Sequence, residues 1–183
     1  MQNDDNVNIE VAMYNDGARP DKKDIFVEVD WMPGHKIETK AKFLVEKEFA
    51  LHDIDLHIDD GGLWGGTRLI YDDDISLVER NNYIKGVGGP NGNEGFTQSR
   101  RGIFYYWIFA HDSTDVGVPG HLLTYAGQEA AGAGVDEFTI VLLCNKISAD
   151  NQKWFIMHEF GHNLLHEIDN PSYRSAYTGL YGT

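Results

Sequence analysis

"WFIMHEFGHNLLHEIDNPSY", residues 154–173, sets three histidines at four-residue intervals: His158, His162 and His166. Met157, Phe160, Leu164 and Ile168 recur through it at helical spacing, and Pro171 lacks the N–H that a continuing helix needs. The stretch therefore predicts a helix, opened near "SADNQ" (148–152), where Ser148 or Asp150 can accept free backbone N–H groups. Within it, His158, Glu159 and His162 form H-E-x-x-H. The first and fifth residues of such a run lie one turn apart on one helix face. Two imidazoles can then converge on one ion, each nitrogen about 2.0–2.1 Å from it. Placing Met157, Phe160 and Leu164 on the core turns both histidines toward a cleft lined by the sheet. Glu159 then stands ready as general base for a water whose pKa a bound cation lowers to about 7.

Upstream, "IFVEVD" (25–30) reads as a strand, and Ile37, Ala41, Leu44, Val45 and Phe49 trace one stripe of an amphipathic helix. "DLHIDDGG" (55–62) reads as a second strand. Strand, helix, strand in this order predicts a right-handed crossover with parallel pairing. Residues 60–101, with "GGLWGG" (61–66) and "GVGGPNGNEG" (86–95), read as a surface excursion of many reversals, holding one short strand at "TRLIY" (67–71). "IFYYWIFAH" (103–111) is nearly all apolar and aromatic, as in a central strand covered on both faces. "HLLTYAG" (121–127) and "DEFTIVLLCN" (136–145) read as further strands, separated by a small-residue loop, "QEAAGAGV" (128–135). The expected organisation is a polar N-terminal segment, 1–24, followed by a single domain, 25–183, of the α+β class.

A chain of 183 residues buries one sizeable core, and 42% hydrophobic residues place it among globular proteins. Its 29 acidic and 15 basic residues leave a formal charge of −14, which repels a phosphate backbone and disfavours nucleic acid as substrate or partner. The lone cysteine, Cys144, has no partner for an intramolecular disulfide and reads as a buried, inert thiol. No run reaches the length of a membrane span, and "MQNDDNVNIE" (1–10) is no signal peptide, so the chain reads as soluble, with a mature or trimmed form of an exported protein compatible with it. In the acidic "HDIDLHIDDGG" (52–62), Ile58 stands where an EF-hand needs glycine, which leaves a weak calcium signal.

"MHEFGHNLL" (157–165) resembles the active-site helix of zincin metallopeptidases, and "HLLTYAG…GAGVDEFTIV" resembles the edge strand and following strand of the metzincin group among them. The likeness runs over residues 25–165 and extends to secreted-type proteases of bacteria and archaea. It implies a zincin-like twisted mixed sheet with two main helices, Zn2+ on His158 and His162, and hydrolysis of peptide bonds with Glu159 as base. It also implies that an extended peptide or protein substrate pairs with the edge strand, Leu122 to Ala126. The chain departs from the group at the third ligand: Leu165 and Ile168 replace the glycine and histidine of H-E-x-x-H-x-x-G-x-x-H, and no methionine follows His162. On a straight helix His166 stands about 12 Å along the axis from His158, too far to share its ion. Asp169 becomes reachable if the helix breaks near Leu165 or His166, and a donor beyond Thr183 is the remaining expectation. A domain that keeps the scaffold without a complete metal site is the competing reading. Tyr173, Tyr177 and Tyr181 offer hydroxyls for an oxyanion, with packing as the alternative role.

Overall fold

Strand β1 (Lys23–Trp31) carries two different faces: Val27 and Val29 point one way, Phe26, Glu28 and Asp30 the other, and all five are buried. A strand buried on both sides needs a cover on each, as parallel sheets do. The computed structural model describes residues 13–15, 17–63, 65–70, 75–111, 123–125, 128–134, 139–144 and 148–169; the last three strands and positions 77, 162, 163 and 165–169 are described by main chain alone. After β1 come α1 (Thr39–Ala50), β2 (Ile54–Asp59), α2 (Leu77–Ile84), β3 (Phe104–Ala110), β4 (Leu123–Tyr125), β5 (Gln128–Gly134), β6 (Thr139–Cys144) and α3 (Ala149–Asp169). The strands form one mixed sheet in the order β2-β1-β3-β6-β5-β4. The first four of that order are parallel, while β5 and β4 are antiparallel to their neighbours.

On one face Ala41, Val45 and Phe49 of α1 and Phe155, Ile156 and Phe160 of α3 pack against Val27, Val29, Leu56, Ile58, Trp107 and Phe109. Of the apolar stripe expected for the first helix, Ala41, Val45 and Phe49 are buried and Leu44 is partly buried, with Ile37 packed just ahead of its first turn. β1 and β2 pair in parallel, Val27 opposite Ile58, as strand–helix–strand order requires. The other face is covered by residues 60–101, whose Leu69, Ile75, Tyr83 and Phe96 pack on Phe26, Phe104, Tyr106 and Ile108. Met13 and Ala18, within the expected N-terminal segment, lie against this second core.

The structure departs from the expected elements in three places. The stretch read as a loop, "QEAAGAGV", supplies strand β5, held between β6 and β4 with Ala130 opposite both Cys144 and Leu123. Alanine and glycine are poor strand formers, so two-sided pairing outweighs propensity. The strand expected at "TRLIY" reduces to one parallel bridge, Trp31 with Arg68, flanked by hydrogen bonds from Trp31 N–H to Thr67 O and from Leu69 N–H to Trp31 O. The excursion also holds a helix, α2, opened by a capping box: Ser76 accepts the Glu79 N–H and Glu79 accepts the Ser76 N–H.

Candidate metal centre

Helix α3 begins where the sequence asks it to. Ser148 Oγ accepts the Asn151 N–H at 3.3 Å and Ser148 O accepts the Gln152 N–H at 2.8 Å, so serine rather than Asp150 is the cap. Gln152 Oε1 in turn accepts the Glu38 N–H at 2.7 Å, and Lys153 Nζ donates to Glu48 Oε1 at 2.6 Å, fixing α3 alongside α1. Further along, the Phe160 ring meets Phe49, Tyr105 and Trp107 at centroid distances of 5.7, 4.9 and 5.1 Å. That contact seats the middle of H-E-x-x-H on the sheet.

The orientation of α3 differs from the expected one. Its buried stripe is Gln152, Phe155, Ile156, Glu159 and Phe160, while Met157 and Leu164 pack against the same core but are only partly buried. Phe155 and Ile156 are buried more deeply than Met157, so the centre of the buried stripe lies about one position round the helix from the reading built on Met157. His158 consequently faces solvent, its side chain 47% exposed, instead of a sheet-lined cleft. Its ring stacks on Trp154 at 5.2 Å and 15°. Glu159 is turned inward, 6% exposed, with Oε1 4.0 Å from His158 Nε2. Gly161, three residues on from His158 and so on its side of the helix, leaves room there: a Cβ would meet nothing within 4 Å.

His162 holds its place one turn beyond His158 in a helical main chain, and its side chain is outside the described residues. The helix runs unbroken through His166 to Asp169. The break that would bring Asp169 to the ion is therefore absent, and Asp169 stands about 16 Å along the axis from His158. Tyr173, Tyr177 and Tyr181 lie outside the described residues, as does the side chain of Cys144. Among the described residues no three His, Cys, Asp or Glu side chains group closely enough to hold a metal. None of the helices among them is long and apolar enough to cross a membrane. An open groove of about 520 Å³, lined by Phe43, Glu46, Lys47, Ala50, Ile54, Asp55 and Leu56, follows α1 and β2 rather than the H-E-x-x-H turn.

Sequence reading missed a buried polar cluster on the opposite face of the sheet. Arg100 Nη1 donates to Asp59 Oδ2 at 2.7 Å and to Glu28 Oε2 at 3.1 Å, and Nη2 donates to Leu63 O. Asp59 also accepts N–H groups of Gly61, Leu63 and Gly65 at 3.1, 2.8 and 2.7 Å. Burial pushes Asp59 up, but the Leu63 N–H, Arg100 and the Gly65 N–H outweigh it and hold the carboxyl below its ordinary range. For Glu28 burial wins over the Thr97 N–H and Arg100, and for Asp30 it wins over Thr67 and the Tyr106 hydroxyl, so both are raised. Asp60 is paired with Lys36 and Lys42, so the acidic run that gave the calcium signal spends Asp59 and Asp60 on internal cations. Together Glu28, Asp30 and Asp59 pin Gly61, Leu63, Gly65, Thr67, Thr97 and Arg100 of the excursion to the sheet. No family model matches the chain, and neither a curated protein nor a solved structure does.

Proposed function

We propose that the chain is a zinc-dependent endopeptidase of the zincin type, with His158 and His162 holding the ion and Glu159 as general base. The observation that carries this reading is H-E-x-x-H on one continuous helix, packed on the sheet through Phe160 and directly following the last parallel strand, β6. The order β-α-β, further strands, then this helix supports the resemblance, as does a mixed sheet ending in the antiparallel strand β4. Two imidazoles one turn apart fit a divalent zinc ion, with room beside Gly161; the remaining donor comes from a segment other than α3. Zinc at such a site polarises a carbonyl and acidifies water. The chain's own residues do the rest: Glu159, inward and 4.0 Å from His158, takes and returns the proton, and β4 offers its outer edge to an extended peptide substrate. With a charge of −14, nucleic acid is not the expected partner.

The test is zinc content and casein cleavage of the purified chain beside its Glu159→Ala variant. The proposal expects stoichiometric zinc in both and cleavage lost by at least about 100-fold in the variant. Cleavage that survives the substitution defeats it. A second reading, a catalytically silent domain on the same scaffold, is favoured by the unbroken helix through Asp169 and the exposed His158. Absence of cleavage by the folded, zinc-supplied parent chain selects that reading.

A further inference from the structure

Two histidines outside H-E-x-x-H meet at the opposite end of the parallel strands. His35 follows β1 in the turn Met32-Pro33-Gly34-His35, closed by the His35 N–H on Met32 O at 3.0 Å. Proline second and glycine third, the latter at φ +85°, suit such a turn without strain. The Met32 N–H donates to Phe109 O at 2.9 Å, which ties the turn to the end of β3. His111 follows β3 two residues after Phe109. The result is His111 Nδ1 3.1 Å from His35 Nε2, the rings at 65° to one another. His35 is 7% exposed, so the turn and its own burial hold it in place.

The position in the sheet matters as much as the distance. From β1 the chain leaves through α1 toward β2, on one side; from β3 it goes on to the strands on the other side. The carboxyl ends of β1 and β3 are thus the point where the strand order reverses, which is where open parallel sheets bind their ligands. His35 and His111 stand at that point. The separation of their facing nitrogens is close to the edge of a tetrahedron about a zinc ion, roughly 3.3 Å for bonds near 2.05 Å.

We propose that His35 and His111 form a second site for a borderline divalent cation, zinc being the probe of choice, independent of the H-E-x-x-H ion. Imidazole nitrogen is the ligand type that suits such cations. An ion would take the lone pairs of both Nδ1 and Nε2, so the imidazole that donates the shared proton would carry it on its other ring nitrogen instead, and both rings would bind as neutral ligands. The two sites are well apart. Phe160 packs on Tyr105 and Trp107, which precede His111 by six and four residues of strand, about 20 and 13 Å.

Zinc titration of the full chain by calorimetry tests the proposal. The variant His158→Gln/His162→Gln should still bind one zinc ion per chain, and adding His35→Gln/His111→Gln should abolish it. Loss of all zinc in the first variant overturns the proposal, and so does undiminished zinc binding after His35→Gln/His111→Gln alone. If the substituted chains do not fold, the unsubstituted chain decides: zinc should protect the partly exposed His111 from diethylpyrocarbonate, read by mass spectrometry. Equal modification of His111 with and without zinc contradicts the proposal.

Discussion

Replacing Arg100 with methionine removes one guanidinium and leaves Glu28 and Asp59 facing each other without a cation. Both carboxylates are buried, with side chains 1% and 0% exposed, and Arg100 is the only cation hydrogen-bonded to either among the described residues. Breaking a buried pair from one side costs about 3–5 kcal/mol, because the orphaned charge stays out of water. The guanidinium also lies 4.3 Å over the Phe104 ring, a contact contributing about 1 kcal/mol. Methionine keeps most of the apolar packing, so the expected loss is about 4–6 kcal/mol at neutral pH. At a urea slope of ~2 kcal/mol per molar this moves the unfolding midpoint down by roughly 2–3 M. The sign with pH follows from the carboxyls. Arg100 helps hold Asp59 below its ordinary range, a stabilisation present above that range and lost as pH falls. Without Arg100, Asp59 and Glu28 each lose a cause that lowers them and both move up, and carboxyls moved up in the folded chain favour it as pH falls toward their titration. The gap between parent and Arg100→Met should therefore be widest near about pH 7 and narrow by about pH 5, measured by urea unfolding followed by circular dichroism. A loss under about 1 kcal/mol, or one that does not change with pH, refutes the reasoning.

Three further substitutions probe other parts of the architecture. Phe160→Ala empties a site shared by Phe49, Tyr105 and Trp107 and should cost about 3–5 kcal/mol in chemical unfolding; less than about 1 kcal/mol would mean α3 is not seated there. Ser76→Ala removes the cap of α2 and should lower stability by about 1 kcal/mol, with the loss in amide-exchange protection concentrated at residues 79–84. Gly65→Ala drives a Cβ into the Arg100 guanidinium and the Glu28 carboxylate, and about 1–3 kcal/mol of destabilisation is expected; a neutral result would place the loop differently.

Strands and helices whose apolar residues declare a period were legible from the residues alone. Val27 and Val29, the stripe Ala41, Val45, Phe49, and the run from Phe104 to Ala110 lie in the elements they predicted. β5 was not legible, because "QEAAGAG" carries no strand preference and owes its conformation to neighbours on both sides. α2 had a readable start, serine three residues before glutamate at "SLVE" (76–79), masked by the glycines around it. Nothing in the local sequence marks the carboxylates Glu28, Asp30 and Asp59 as buried. Their partners Thr97, Arg100 and Thr67 stand 37 to 72 residues from Glu28 and Asp30, a separation that no local pattern encodes. For the candidate site, spacing gave the H-E-x-x-H helix but not the centre of its buried stripe, since Met157, Phe155 and Ile156 all pack on the core and only packing decides which lie deepest. The pair His35 and His111 is likewise joined by the meeting of two strand ends, not by sequence.

The most direct test of the account is zinc-edge X-ray absorption on the full chain carrying His35→Gln and His111→Gln, loaded with one equivalent of zinc. The account predicts a first shell containing two imidazole nitrogens at about 2.0–2.1 Å, lost when His158 and His162 are also replaced by glutamine. A first shell without imidazole, or one unchanged by that replacement, would contradict it.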